Sequence, residues 1–138
     1  MVSEDVLKNI KGDIMYEDRV HVVKAIAFQR RGLGYWPING YVKSYDCHHL
    51  HIKCIKEVDE NAICIYVPPD VHRSVPHRPS NKHSMCLINF RCLEWYLKVE
   101  GDGASVIAKI LYIHYADVLG INENDRVKCE YELWTGTL

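Results

Sequence analysis

Apolar positions near the start of the chain recur at helical spacing. Val6, Leu7 and Ile10 follow Ser3 and Asp5, either of which can cap a short helix, and Gly12 ends it. Asp18 can cap a second helix that carries Val20, Val23, Ala27 and Phe28 on one face. That helix runs into Arg30 and Arg31, which suit its negative end, and stops at Gly32. The following stretch, GLGYWPINGYVKSYD, reads as a structured connection, because Tyr35, Trp36, Ile38 and Tyr41 need a surface to pack against.

The period then shortens. CHHLHIKCIKEV and AICIYV read as two short strands separated by the acidic turn Asp59-Glu60-Asn61, and Pro68-Pro69 ends the second. Successive strand residues face opposite ways, so His49 and His51 share one face and His48 takes the other unless a bulge intervenes. If His48 and His49 serve one cleft, irregular backbone is expected between Cys47 and Leu50. Asp70 is placed to begin a helix, DVHRSV, which Pro76 kinks or ends.

A longer helix is predicted from about Lys82 to Val99, with Met85, Ile88, Cys92, Trp95 and Tyr96 inward and glycines 101 and 103 ending it. Ser105 can cap another, with Val106, Ile110, Leu111, Tyr115 and Val118 at helical spacing and Gly120 closing it. The alternation of Val127, Cys129, Tyr131 and Leu133 reads as a last strand. The expected fold class is α+β: a β-hairpin and helix at the centre, braced by flanking helices. One domain over residues 1–138 is expected, with an N-terminal helical segment (1–42), a central motif (43–80) and C-terminal helices plus a terminal strand (81–138).

Composition narrows the function without naming it. Hydrophobic residues make up 48% and charged residues 25% of the 138, a globular mixture rather than a disordered one. The formal net charge of -1 argues against binding to nucleic acid or membrane by bulk charge. The charge is uneven, however: residues 43–98 sum to +2 and residues 100–138 to -4, so a phosphate-bearing partner prefers the middle of the chain. The N-terminus lacks the apolar core of a secretory signal, and no uncharged run approaches a membrane span. Six cysteines without a C-x-x-C pair fit free thiols in a reducing cytoplasm.

The concentrated chemistry is histidine. Five of eight fall at 48, 49, 51, 72 and 77, beside Asp46, Asp59, Glu60, Asn61 and Asp70. Neutral imidazole ligates divalent metals and, near a phosphate, can act as a base at neutral pH. A strand pair, a turn asparagine and a helix histidine can converge if hairpin and helix fold together. His21, on the polar side of the second helix, and His114, near the flank of the last, read as structural.

The stretch DCHHLHI…DENAICIYVPPDVHRSVPH resembles the HNH endonuclease motif, the ββα-metal finger. His48-His49 stand at the family's histidine pair, Asn61 at its asparagine twelve residues after His49, and His72 at its helix histidine eleven residues later. GYWPIN before the motif, and Ser84, Met85, Ile88 and Asn89 after it, resemble the surroundings in a small archaeal and viral branch of HNH-like proteins. The cysteine pairs that bind zinc around many such motifs are absent.

The resemblance implies a metal-dependent DNA endonuclease. His49 would be the general base, and His48 and His72 would hold one divalent ion (Mg, Mn, Ni or Zn), with His77 a further candidate ligand. Asn61 would orient the base, and Arg73 and Arg78 would clamp phosphate oxygens. The implied partner is double-stranded DNA, a homodimer being the simplest way for so small a chain to cut both strands. Two other classes stay open on the same residues: a non-catalytic nucleic-acid-binding module, and a metal-binding structural or regulatory protein. Metal-dependent nicking of a plasmid separates the first from both.

Overall fold

The computed structural model describes residues 36–50, 63–76, 78 and 81–129. Three strands form one sheet: β1 (Trp36–Pro37), β2 (Asp46–His49) and β3 (Ile63–Val67), in the order β1-β3-β2. β2 and β3 are antiparallel, with Asp46 opposite Val67 and His48 opposite Ile65. β1 runs parallel to β3. The structured connection expected around Trp36 thus includes a short edge strand. Asn39 lengthens it: its amide donates to the Tyr66 carbonyl and accepts from the Tyr66 N–H, both at 2.8 Å. A side chain here satisfies the backbone of β3 as another strand would.

Three helices follow. α1 (Pro69–His72) is one turn, begun by a proline at its first position and finished at Arg73, before Pro76 is reached. α2 (Lys82–Glu100) is capped by Asn81, whose side chain accepts from the Ser84 N–H at 3.0 Å. α3 (Val106–Leu119) ends at Gly120, where a φ of 71° lets the Gly120 N–H reach Asp117 O and the Ile121 N–H reach Ala116 O. That pair of bonds is the Schellman closure that the sequence expectation of Gly120 implied. The arrangement is α+β, an antiparallel pair followed by helices, as expected.

The core runs from the sheet through α2 to α3. Ile63, Ile65 and Val67 of β3 meet Ile88, Phe90, Cys92 and Leu93 of α2, which also carries Ile110, Leu111 and Tyr112 of α3 in the same cluster. The Phe90 and Tyr112 rings stack with centroids 4.9 Å apart. Tyrosine hydroxyls tie down the connections: Tyr96 accepts from the Ser105 N–H at 2.9 Å and Tyr112 from the Val127 N–H at 2.8 Å. Arg126 adds an ion pair to Asp117 and two bonds to the Ile121 carbonyl. Val127–Cys129 is held this way and carries no strand pairing among the described residues; Tyr131 and Leu133, the rest of the expected last strand, lie outside them. Val118, one of the helically spaced apolar positions, is exposed, and Trp95, expected inward, is half-buried.

Burial pushes the Cys92 thiol up from its ordinary 9.0 to about 12. The folded value lies above the unfolded one, so this contribution to stability is complete below pH 9 and is lost as pH rises toward 12. Urea titrations of the reduced protein are expected to show stability falling above pH 9, more gently in Cys92→Ala. A wild-type midpoint that is flat across that window would contradict the assignment.

Candidate functional site

β2 and α1 bring two of the expected histidines together. His48 points inward from β2 and is 2% exposed, while His72 ends α1 and stays 23% exposed through its side chain. Their ring centroids lie 5.1 Å apart with the planes tilted by 57°. Each ring is held by a second polar side chain. His48 Nε2–H donates to Asn89 Oδ1 at 2.8 Å, and His72 Nδ1–H donates to Asp46 Oδ2 at 3.0 Å.

The local reasons are simple. Residues two apart on a strand share a face, so Asp46 lies beside His48 and both face the helices. Pro69 starts α1 immediately after β3, and one turn carries His72 back over β2. Asn89 sits on the buried stripe of α2 between Ile88 and Phe90, with no exposed surface. A polar side chain there is tolerable because it meets another buried polar group.

These partners set the protonation pattern. Donation through Nε2 puts the lone pair of neutral His48 on Nδ1, and donation through Nδ1 puts that of His72 on Nε2. Outer side chains that orient imidazoles in this way are what metal-ligating histidines ordinarily have. Beside the pair opens a cleft of about 490 Å³ lined by Asp46, His72, Arg73, Val75 and Pro76. Among the described residues, no group of three or more His, Cys, Asp or Glu side chains is arranged to hold a metal ion.

His49 departs from expectation. The ladder from Asp46↔Val67 through His49↔Cys64 advances one residue at a time, and the Leu50 N–H continues it to the Ile63 carbonyl at 2.9 Å. There is no bulge, so the irregular backbone expected between Cys47 and Leu50 is absent. His49 lies on the opposite face from His48 because nothing interrupts the alternation. It shares that face with Cys47 and Cys64. Burial, with the Cys47 thiol beside it, pushes Cys64 from 9.0 to about 12, so that sulfur is a protonated thiol at neutral pH and a poor nucleophile.

Arg73 lines the cleft beside His72, where a phosphate clamp was expected; Arg78 is exposed and is not among the cleft's lining residues. Asn61, His77 and His51 lie outside the described residues. So do both predicted N-terminal helices. His114 is buried in α3, consistent with a structural reading.

The partners Asn89 and Asp46 carried signals that the sequence reading did not use in this way. Asn89 is a polar residue within an apolar helical stripe. Asp46 alternates with His48.

Removing the Asn89 amide leaves a buried imidazole N–H without an acceptor, at a cost of about 1–3 kcal/mol. Asn89→Leu is therefore expected to lower the urea midpoint measurably without changing the slope of the transition. An unchanged midpoint would show that the His48–Asn89 bond carries no stability.

The chain was compared with protein-family models, with curated proteins and with solved structures, and none of the three gave a match. Among the described residues, no helix is long and apolar enough to cross a membrane.

Proposed function

We propose that this chain is a metal-dependent DNA endonuclease of the HNH type, with His48 and His72 as the protein ligands of one divalent ion. The observation that carries the proposal is the His48–His72 pair, two rings 5.1 Å apart, each oriented by a separate polar side chain. Surface histidines have no need of a buried asparagine and a carboxylate to select their tautomers. The resemblance of the surrounding residues to the HNH motif supplies the reaction class.

In this reading His48 and His72 would hold a divalent ion, which would supply positive charge against the phosphate and the leaving oxygen. Asp46 and Asn89 keep each imidazole presenting one nitrogen. Arg73, in the same cleft, binds a non-bridging phosphate oxygen. His49 takes the proton from water as the water oxygen bonds to phosphorus and the bond from phosphorus to the 3′-oxygen breaks.

The two faces of β2 are compatible with this division of labour. Among the described residues β2 lies at the edge of the sheet, and there His48 and His49 flank its outer side from opposite faces. A phosphodiester lying along that edge would meet the base on one side and the His48–His72 pair on the other. Asn61 keeps the role the resemblance gives it, orienter of the base.

A non-catalytic nucleic-acid-binding module is the second reading. The separation of His49 from the other two histidines by the strand itself favours it. Supercoiled plasmid decides between them. The endonuclease converts it to open circles or linear molecules with Mg²⁺, Mn²⁺ or Ni²⁺ and leaves it intact in EDTA. Intact plasmid with every metal, under conditions where duplex is bound, would establish the binding module instead.

A further inference from the structure

The face of β2 and β3 turned away from His48 carries a pair of thiols that the histidine site does not use. In the ladder Cys47 stands opposite Tyr66 and His49 opposite Cys64. Cys47 and Cys64 are therefore diagonal neighbours on adjacent strands, with their side chains on one face. The right-handed twist of a strand pair draws one of its two diagonals together. This is the near one, because a hydrogen bond joins the two thiols, one S–H donating to the other sulfur.

Cys64 by itself has an ordinary explanation. It has no exposed surface and packs as a small apolar side chain would. That explanation does not extend to Cys47, which is exposed. Elsewhere, Cys92 lies in the core and the Cys129 thiol donates to the Val127 carbonyl at 3.4 Å. At the β2–β3 diagonal an exposed thiol touches a buried one. The first is open to a reagent from solvent, and the second is shielded from solvent but within reach of the first. An accessible cysteine beside a second that can resolve its adduct is the arrangement of reversible thiol chemistry.

The ladder also removes most of the entropic cost of linking the two. Cys47 and Cys64 are far apart in sequence, with Cys54 between them, yet strand pairing holds them together. A disulfide spans Cα atoms about 4.4–6.8 Å apart, and ideal diagonals lie about 7–8 Å apart, so closure pulls the strands together locally. Strain of that kind makes a disulfide easier to reduce, which suits a reversible modification better than a structural bridge.

We propose that Cys47 and Cys64 form a reversible intramolecular disulfide on reaction with a small-molecule disulfide of the glutathione type. In the first step Cys47 gives up its proton and its Sγ bonds to one sulfur of the reagent. The reagent's S–S bond breaks, and one thiol leaves with a proton. In the second step Cys64 gives up its proton and its Sγ bonds to Cys47 Sγ, the mixed disulfide breaks, and the second thiol leaves. The protein loses two electrons and two protons, and the reagent gains both. The modification lies on the strand that carries His48 and His49, but it requires neither metal nor nucleic acid and is independent of the endonuclease reading.

The test is incubation of the full chain with oxidised glutathione under native conditions, followed by blocking of free thiols, trypsin digestion and mass spectrometry. Lys43, Lys53 and Lys56 place Cys47, Cys54 and Cys64 on three different tryptic peptides, so each linkage is read separately. The expected result is a Cys47–Cys64 link as the dominant intramolecular product, lost on treatment with dithiothreitol. Cys47→Ser, altered at an exposed position, is expected to lose both the adduct and the link. Cys64→Ala is expected to stop at the glutathione adduct on Cys47, and Cys54→Ser to form the link as wild type does. In denaturing urea the preference should vanish, because the shorter loops to Cys54 close more readily in an unfolded chain.

A stable glutathione adduct on Cys47 of wild type, with Cys64 still a free thiol, would overturn the proposal. So would a dominant link to Cys54, or a Cys47–Cys64 link that forms equally well in urea. None of these outcomes bears on metal-dependent cleavage of plasmid, so the two readings stand or fall separately.

Discussion

Alanine at His72 is expected to weaken Mn²⁺ binding by more than about 100-fold while the protein stays folded. Loss of an outer partner of a metal-ligating histidine typically costs about 10–100-fold, and loss of one of two imidazole ligands should exceed that. His72 suits the measurement because its side chain is partly exposed at the end of a one-turn helix, so its removal opens no cavity in the core. Asp46→Asn grades the same effect. The amide oxygen can still accept from His72 Nδ1–H without the carboxylate charge, and a loss nearer the lower end of the 10–100-fold range is expected. Calorimetric titration reads both, with near-UV circular dichroism as the check on folding. Equal Mn²⁺ binding by wild type and His72→Ala would remove His72 from the site. His48→Ala makes a poorer probe, because it strands a buried Asn89 and combines a stability loss with any binding loss.

Alanine at His49 is expected to slow cleavage by about 10²–10⁴-fold with duplex affinity nearly unchanged. His49 is half-buried on the face of β2 away from His48, so the substitution leaves the His48–Asn89 and His72–Asp46 bonds intact. Metal binding should survive for the same reason, which separates this variant from His72→Ala. Single-turnover cleavage under saturating protein isolates the chemical step from product release. Cleavage by His49→Ala at the wild-type rate would take the general base away from β2, whatever holds the metal.

The residues that were legible in the sequence are those whose signal is local. Gly120 after a helical stripe, Pro68-Pro69 after an apolar strand and the apolar run around Ile88 and Cys92 each depend on a few neighbours, and each lies where the pattern put it. The meeting of His48 with His72 was implied by the resemblance and not by strand alternation. What escaped was set by pairing across distance. Nothing near Trp36 states that it will run parallel to β3, because Ile63 and Cys64 decide that from far along the chain. Asn89 is equally silent alone; its meaning appears once α2 lies against the sheet and His48 needs an acceptor. The expectation of a bulge failed for a different reason. It came from the need for two adjacent histidines to share a cleft, whereas the backbone of β2 answers to the unbroken ladder with β3. Function in this reading must use both faces of an edge strand.

The claim on which the whole account turns is that His48 and His72 form a pre-oriented ligand pair, and nitrogen NMR of the histidine rings addresses it directly. Long-range proton–nitrogen correlation spectra of the metal-free protein should show His48 protonated at Nε2 and His72 at Nδ1. Addition of Zn²⁺ should then move the resonances of His48 Nδ1 and His72 Nε2 together, leaving the two protonated nitrogens bonded to Asn89 and Asp46. The opposite tautomer at either ring, or Zn²⁺ that leaves both rings untouched, would contradict the account.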